Sequence, residues 1–338
     1  GEGLMAAAPD ARIGVIGAGA WGTALAQLLS QDGRPVLLWA REEGLADTIN
    51  ATRRNPLFLP AAELAPAITA TGALAELAGC DIAMLVTPAQ HLGSVLAAMP
   101  AHPADLVLCA KGIEARTGRL MHQVARAAAP ASAIAVLSGP TFAHEVAAGL
   151  PTAVTLACEG GEAQWRRLAP ALARPSFRPY YSADVAGAEA GGAVKNVLAI
   201  ACGVAEGLAL GQNARAALIT RGFAEMLRFA LALGAQAETL GGLCGLGDLV
   251  LTCSSPSSRN FSLGVALGRG ERAADLLADR LTVAEGAFTA PVLRDLAGRH
   301  AVAMPICEAV CRLLDGAEPQ AILRELLARP LTAEGWRA

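Results

Sequence analysis

The sequence predicts an α/β protein in which a doubly wound, mainly parallel sheet is followed by an all-α C-terminal domain. Two observations support this prediction. Up to about residue 180, short and continuously apolar segments alternate with helical ones, as in parallel strands that helices cover on both faces. Beyond residue 187, helical periodicity alone remains.

Six segments qualify as strands, because each is short, apolar and bounded by turn residues. They are Arg12–Ile16, Val36–Ala40, Asp81–Thr87, Asp105–Ala110, Ala133–Ser138 and Thr152–Cys158. Helical segments lie between them, among them Gly22–Gln31 and Gly118–Ala129. A succession of this kind builds a sheet with helices on its faces.

The later part of the chain predicts helices only. Apolar residues recur at three- and four-residue steps from Val194 to Leu208, as the buried face of a helix requires. Further helices are predicted at Ala214–Leu233, Ser262–Gly268, Ala290–His300, Ile306–Leu314 and Pro319–Leu327. No strand is expected after Tyr181. We therefore divide the chain into a cloning remnant and tail (residues 1–10), a sheet domain (11–185) and a helical domain (186–338).

Length and composition narrow the class of protein. With 338 residues, the chain is long enough for two domains, each with a core of its own. A net charge of −3 and an aromatic content of 4% give no basis for a nucleic-acid partner. The eight cysteines form no CxxC pair, and no paired histidines accompany them. This pattern indicates reduced cysteines, a cytoplasmic location and no metal site.

The apolar content of 54% raises the question of a membrane span. The longest candidate runs from Ala193 to Gly211, but Lys195, Asn196 and Glu206 interrupt it. A helix that spans a bilayer needs about 20 predominantly apolar residues. We therefore expect a buried core helix here and no membrane span.

A glycine-rich turn joins the first predicted strand to the first helix. It reads Gly17-Ala18-Gly19-Ala20-Trp21-Gly22. Gly17 would permit the tight turn, Gly19 the approach of a pyrophosphate to the backbone, and Gly22 the packing of helix on strand. Backbone N–H groups and the positive end of the helix would face the phosphates. This context predicts a Rossmann-type domain that binds NAD(P), with an ordinary strand–helix turn as the alternative.

Arg41 bears on the choice between the two nicotinamide cofactors. It follows the second predicted strand, where an acidic residue would bind the 2′-hydroxyl of NAD, and no acidic residue stands at position 40 or 41. A guanidinium there can instead pair with the 2′-phosphate of NADP. We therefore predict a preference for NADP(H), with NAD(H) possible. Because Glu42 and Glu43 follow, a solvated surface arginine is the alternative.

Seven further segments carry a resemblance to a known family. They are Val86–Gln90, Ala110–Glu114, Leu137–Ala143, Gly192–Asn196, Gly245–Leu249, Ser258–Asn260 and Val283–Gly286. Together and in this order they resemble the bacterial-type NAD(P)-dependent glycerol-3-phosphate dehydrogenases. The resemblance implies a Rossmann-type domain joined to a helical one. It also implies the reversible reduction of dihydroxyacetone phosphate to sn-glycerol 3-phosphate for glycerophospholipid synthesis.

Two lysines are candidates for the chemistry. Hydride transfer to a ketone leaves negative charge on its oxygen, which needs a proton or a strong hydrogen bond. Lys195 stands alone in an apolar helix, where burial would favour its uncharged form; the resemblance implies that it is the catalytic residue. Lys111 ends a predicted strand at the edge of the sheet where ligands bind. The alternatives are a lysine that snorkels from a helix end and a strand-end surface lysine.

The resemblance implies the remaining ligands. The substrate would be bound by Lys111, Gly139, Thr141, Lys195, Asp248, Ser258, Arg259 and Asn260. The cofactor would be bound from both domains, by Gly17, Gly19, Ala20, Trp21, Gly22, Arg41, Lys111, Ala143, Arg259, Val283 and Glu285. Without the resemblance, Asp248 would be read as a turn former in a glycine-rich loop and residues 258–260 as a polar surface loop.

Two rival functions remain open. A β-hydroxyacid or 6-phosphogluconate-type dehydrogenase would share the two-domain plan and a helix lysine, but Lys111 and the run from Ser258 to Asn260 argue against it. A non-catalytic NADP(H)-sensing protein would need the glycine turn but not the two lysines. The resemblance also leads us to expect a homodimer.

Overall fold

The computed structural model describes residues 11–278 and 284–330. These residues form two compact units, each with its own hydrophobic core. The first comprises residues 11–111 and 121–185, and the second comprises residues 112–120, 186–278 and 284–330. The segment 112–120 therefore belongs to the second unit, although it follows a strand of the first.

The first unit is built on a sheet with eight strands among the described residues. They are β1 (Ile13–Ile16), β2 (Val36–Trp39), β3 (Ile68–Thr71), β4 (Ile82–Leu85), β5 (Asp105–Leu108), β6 (Ala133–Ser138), β7 (Thr152–Cys158) and β8 (Phe177–Ser182). Their order in the sheet is β3-β2-β1-β4-β5-β6-β7-β8. Every neighbouring pair is parallel except β6 and β7. The predicted doubly wound, mainly parallel sheet is confirmed.

Helices connect these strands. They are α1 (Ala20–Leu29), α2 (Leu45–Thr52), α3 (Leu92–Ala98), α4 (Met121–Ala128), α5 (Ala143–Ala147) and α6 (Gly161–Leu172), with 3-10 turns at Leu74–Gly79 and Ala89–His91. The strand order reverses beside β1, because β2 and β4 lie on either side of it. In such sheets, ligands bind outside the carboxyl ends of the strands at this reversal. The glycine turn that follows β1 lies at this place.

The sequence does not predict two of the strands, β3 and β8, and both are edges of the sheet. The reason is physical: an edge strand has one neighbour, so it need not be continuously apolar. Strand β8 contains Arg178 and Pro179, and its Tyr180 and Tyr181 are exposed. Proline is tolerated there because an edge strand can lack one backbone donor.

Several predicted boundaries are wrong by a few residues. Helix α1 begins at Ala20 rather than Gly22, and α4 begins at Met121 rather than Gly118. Gly118 has a positive φ of 72°, and Ile113 and Leu120 form an isolated antiparallel bridge. Residues 113–120 are therefore a turn, which the apolar periodicity of the sequence does not distinguish from the helix that follows.

From residue 186 onwards, all the regular elements among the described residues of the second unit are helices, which confirms the predicted all-α C-terminal domain. Its helices are α7 (Val185–Gly207), α8 (Gly211–Ala232), α9 (Ala237–Gly241), α10 (Asp248–Cys253), α11 (Arg259–Gly268), α12 (Ala273–Leu276), α13 (Glu285–Arg299), α14 (Pro305–Leu314) and α15 (Pro319–Leu327). A π-helical turn, Leu243–Gly247, leads into α10.

Helix α7 is the core helix of this unit. Val194, Val197 and Leu198 on it are almost completely buried. By length and composition α7 could cross a membrane, yet 94% of its most apolar stretch is buried inside the protein. The apolar stretch that raised the question of a membrane span is therefore a buried helix, as expected.

Candidate active site

The glycine turn of residues 17–22, here called the cofactor turn, needs glycine for two different reasons. A Cβ at Gly22 would lie 1.8 Å from the carbonyl oxygen of Gly17, and one at Gly17, where φ is +119°, would lie 3.0 Å from the carbonyl oxygen of Val86. At Gly19, no heavy atom lies within 4 Å of a Cβ. Packing therefore requires glycine at positions 17 and 22, whereas position 19 opens onto space that a ligand can fill.

Helix α1 offers its N-terminus to the same space. The helix starts with Ala20 and Trp21, Gly19 is its N-cap, no side chain caps it, and its first turn holds no acidic residue. The first N–H groups of a helix lack intrahelical partners and carry positive partial charge. These residues fit the pyrophosphate of a dinucleotide, which binds at such a position.

Arg41 lies just beyond the carboxyl end of β2. Its guanidinium contacts Glu42 Oε1 at 3.2 Å, and 68% of its side chain is exposed. Exposed ion pairs of this kind contribute little, about 0 to 1 kcal/mol. Arg41 can therefore exchange Glu42 for a phosphate at small cost. The geometry is compatible both with a ligand of the NADP 2′-phosphate and with a solvated surface arginine.

Three further predicted residues meet at the carboxyl end of β6. Lys111 Nζ donates to the carbonyl oxygen of Gly139 at 3.3 Å, and Thr141 Oγ1 donates to the same oxygen at 3.4 Å. A Cβ at Gly139 would lie 2.9 Å from the Cα of Val154, so only glycine lets this segment pack on β7. Ala143 begins α5 and is half-buried. The structure thus brings Lys111, Gly139 and Thr141 together.

In the second unit, Lys195, Asp248 and Thr252 form a buried group, here called the lysine centre. Lys195 Nζ donates to Asp248 Oδ1 at 2.5 Å and to Thr252 Oγ1 at 3.0 Å. Asp248 is completely buried and Lys195 is 5% exposed. Removing one partner of such a pair leaves an uncompensated buried charge and costs about 3–5 kcal/mol. Because separating the two charges is costly, the hydrogen bond to Asp248 holds the ammonium group of Lys195 in one position.

Thr252 is a residue that the sequence analysis missed. Its hydroxyl donates to the carbonyl oxygen of Asp248 at 2.6 Å, so a lone pair of Oγ1 is left to accept from Lys195. Asp248 does not lie in a loop, as the sequence suggested, but begins α10. On a helix, residues four apart share a face, so the spacing from Asp248 to Thr252 would have identified the threonine if the helix had been predicted.

The run Ser258-Arg259-Asn260 is not a surface loop but the start of α11. Ser258 is its N-cap and accepts from the N–H of Phe261 at 3.2 Å. Asn260 Oδ1 accepts from the N–H of Gly286 on α13 at 2.9 Å. Ser258 and Asn260 are buried, whereas Arg259 is exposed and has no ion pair within the part of the chain that the structure describes. The guanidinium is thus available to an anion.

The last predicted cofactor ligands lie around the start of α13. Glu285 is its first residue, and Val283 lies outside the described residues. A Cβ at Gly286 would lie 2.5 Å from the backbone oxygen of Asn196. The beginning of α13 therefore packs closely against α7, next to Lys195 in the chain.

All eight cysteines are buried, and none forms a disulfide. Burial raises the pKa of the Cys109 and Cys158 thiols to about 12. Cys253 is adjacent in sequence to Thr252, but a hydrogen bond with Cys202 and burial hold the pKa of its thiol well above the usual value. Nucleophilic cysteine chemistry needs a thiolate, so these residues act as small apolar side chains.

Comparison with known proteins matches the chain to one family over both units. Residues 12–164 match the N-terminal part, and residues 184–324 the C-terminal part, of the NAD-dependent glycerol-3-phosphate dehydrogenases. Glycerol-3-phosphate dehydrogenase [NAD(P)+] of Novosphingobium aromaticivorans is 70% identical over 323 residues, which cover 95% of this chain and 98% of that protein. The protein of the same name from Erythrobacter litoralis is 67% identical over 324 residues, with coverage of 96% and 98%.

A solved structure gives the same result. The crystal structure of glycerol-3-phosphate dehydrogenase from Coxiella burnetii is 39% identical, with a TM-score of 0.89, and the match covers 95% of this chain and all of that one. The matches extend over the cofactor turn and the lysine centre alike. The chain belongs to the NAD-dependent glycerol-3-phosphate dehydrogenase family.

Proposed function

We propose that the chain catalyses the reversible NAD(P)H-dependent reduction of dihydroxyacetone phosphate to sn-glycerol 3-phosphate, which supplies glycerophospholipid synthesis. The observation that carries the proposal is the lysine centre. A buried ammonium group held by a carboxylate and a hydroxyl suits the neutralisation of an oxyanion. Relatives up to 70% identical are glycerol-3-phosphate dehydrogenases, which supports the same reaction.

In the proposed mechanism, the nicotinamide supplies the hydride. Lys195 donates a hydrogen bond to the ketone oxygen and passes a proton to it as negative charge develops, and it accepts the proton back in the oxidation of the alcohol. Asp248 keeps the ammonium group in place and balances its charge. Thr252 accepts from Nζ and so limits the directions in which the lysine can point.

The substrate phosphate would bind at the start of α11. Arg259 offers a guanidinium fork that matches a phosphate, and it is exposed. Ser258 and Asn260 accept from backbone N–H groups, so their remaining donors, the hydroxyl and Nδ2, would serve the ligand. Lys111, Gly139 and Thr141 would contribute from the sheet edge.

The two parts of the chain would mainly bind different molecules. Residues 11–185 would bind the dinucleotide through the cofactor turn, Lys111 and Ala143, and residues 186–338 would bind the substrate and add Arg259, Val283 and Glu285 to the cofactor. The exposed guanidinium of Arg41 supports a preference for NADP(H). A cytoplasmic location is supported by the cysteines, none of which forms a disulfide, and a homodimer by the resemblance alone.

The test is oxidation of NADPH in the presence of dihydroxyacetone phosphate, followed by absorbance. We expect turnover with this substrate and little with unphosphorylated dihydroxyacetone or with β-hydroxyacids. Arg259→Ala should raise KM for the phosphorylated ketone at least about tenfold, because a charge-assisted hydrogen bond contributes about 1.5–3 kcal/mol. Binding of NADPH without turnover of the phosphorylated ketone would contradict the proposal.

A further inference from the structure

We infer that Asn55 is a positioning residue for the cofactor: it orients the peptide between Ala18 and Gly19 so that the Gly19 N–H faces the pyrophosphate. The inference rests on the proposed dinucleotide function of the cofactor turn. Asn55 lies 37 residues from Ala18 in the sequence. It is not part of the glycine motif, and its side chain is completely buried.

The side-chain amide of Asn55 is fully used. Nδ2 donates to the carbonyl oxygen of Ala18 and to Thr23 Oγ1, both at 2.8 Å. Oδ1 accepts from the N–H of Phe58 at 3.2 Å. A buried amide is costly unless its donors and acceptors are paired. Here the two N–H groups of Nδ2 donate to one acceptor in the cofactor turn and to one in the first turn of α1.

Thr23 completes the arrangement. Its Oγ1 accepts from Asn55, which leaves its proton to be donated to the Ala18 carbonyl oxygen at 3.2 Å. That carbonyl oxygen therefore accepts from two buried side chains. Rotating the peptide plane would break both hydrogen bonds at once, so the Ala18 carbonyl is held towards the interior.

The orientation of this carbonyl decides where the next N–H points. A trans peptide is planar, and its C=O and N–H point in opposite directions; the described backbone contains no cis peptide. Because the Ala18 oxygen is held inward, the Gly19 N–H is directed outward. No residue of the described chain accepts from this N–H, and the space beside Gly19 is open.

The test compares Asn55→Ala with Gln164→Ala. Gln164 is a second buried amide of the first unit: Oε1 accepts from the N–H of Gly160 at 2.9 Å, and Nε2 donates to Asp105 Oδ1 at 3.1 Å. Asp105 is the first residue of β5, so this amide lies at the amino end of a parallel strand, whereas the cofactor turn follows the carboxyl end of β1. Both variants lose a buried amide, but only Asn55→Ala releases the turn.

We expect Asn55→Ala to raise the Kd for NADPH about tenfold or more, because one oriented hydrogen bond to a phosphate is weakened. The Kd for ADP-ribose, which keeps the pyrophosphate, should rise in parallel, and that for adenosine should stay within about twofold. The kcat at saturating NADPH should be nearly unchanged. Gln164→Ala should leave all these values within about twofold of wild type while lowering Tm.

Thr23→Val and Thr23→Ser provide a second, milder test. The valine removes the hydroxyl and should weaken NADPH and ADP-ribose binding in the same direction, and the serine should restore it. Equal loss of ADP-ribose and adenosine binding, or equal effects of Asn55→Ala and Gln164→Ala, would overturn the inference. Failure of the wild-type protein to bind NADPH or NADH would instead overturn the proposed function.

Discussion

The cofactor turn and the lysine centre differ in the atoms that carry their chemistry. The turn uses backbone: glycines without a side chain, and N–H groups at the start of α1. The lysine centre uses side chains from α7 and α10, whose charged atoms are buried and hydrogen-bonded to one another. In the cofactor turn, a substitution changes the path of the backbone or fills the space beside it, whereas in the lysine centre a single side chain can be replaced on an unchanged backbone. Such a replacement still costs about 3–5 kcal/mol, because a buried charge loses its partner. The following variants test this contrast.

The largest effect is expected at Lys195. Lys195→Met should lower kcat by about 10³-fold, because proton transfer by a positioned group contributes about 10²–10⁴-fold, and NADPH binding should be retained. Steady-state kinetics and a fluorescence titration measure the two. Lys195→Arg is the control for charge: it keeps a cation beside Asp248 but cannot give up a proton near neutral pH. High activity of the arginine variant would show that charge alone suffices.

Two glycine variants of the cofactor turn should separate packing from binding. Gly22→Ala places a Cβ 1.8 Å from the Gly17 carbonyl oxygen, and we expect a loss of about 3 kcal/mol in the free energy of unfolding. A Cβ at position 19 meets no atom within 4 Å, so Gly19→Ala should change Tm little. The added methyl group would occupy the space that the ligand fills, so the Kd for NADPH should rise about tenfold. Urea unfolding and NADPH titration measure both. Unaltered NADPH binding by Gly19→Ala would remove Gly19 from the binding site.

Glu225 is a second buried carboxylate of the helical unit, and it allows a comparison with Asp248. Asp248 accepts a hydrogen bond from a lysine, whereas Glu225 accepts from backbone N–H groups. It lies on α8, is 2% exposed, and accepts from the N–H groups of Ile306 and Cys307 at 2.8 and 3.2 Å. Burial raises its pKa to about 7, although the two N–H groups lower it. Between about pH 4.5 and pH 7 the folded protein keeps a proton that the unfolded chain has released, so the free energy of unfolding falls as pH rises.

Glu225→Gln should abolish that fall, which is on the order of 3 kcal/mol for a shift of this size. Urea unfolding at pH 5 and pH 8 measures it. Glu238→Gln, at an exposed position, is the matched control and should keep the pH dependence of the wild type. If Glu225→Gln kept it as well, another group would be responsible.

The smallest effect is expected at Arg41. If its guanidinium pairs with the 2′-phosphate, Arg41→Ala should reduce the NADPH-to-NADH ratio of kcat/KM by about tenfold. Comparing the two cofactors in the same assay measures this ratio. Arg34→Ala, which removes another arginine of the first unit that already pairs with Asp32, should leave it unchanged. If Arg41→Ala left this ratio unaltered, Arg41 would be a solvated surface arginine that does not bind the cofactor.

The contrast between the cofactor turn and the lysine centre also explains which features could be predicted from the sequence. The cofactor turn is local: strand, glycines and helix are consecutive, so their pattern is visible in the sequence. Buried strands were predicted for the same reason, whereas the edge strands β3 and β8 were missed because they are not continuously apolar. The predicted start of α4 is too early because the turn before it shares its apolar periodicity, and that of α1 is too late because Ala20 and Trp21 belong to the glycine motif as well as to the helix.

The lysine centre depends on contacts between residues 53 and 57 positions apart, which no local pattern shows. Lys195 stood out as a lone charge in an apolar helix, but Thr252 could not be found while Asp248 was assigned to a loop. The role of Asn55 could not be predicted from the sequence for a related reason, since its hydrogen-bond partners lie 32 and 37 positions away. Ser258 and Asn260 were named as ligands, and their structural hydrogen bonds became visible only in the fold.

The burial of every cysteine has a practical consequence. Because the thiolate is the reactive species, raising the pKa of a thiol such as Cys109 to about 12 makes it slow towards alkylating reagents at neutral pH. The folded protein should therefore behave as though it had no cysteine. A single cysteine introduced at the exposed position of Leu57 would accept one fluorescent maleimide, and labelling beyond one dye per chain would directly report unfolded molecules.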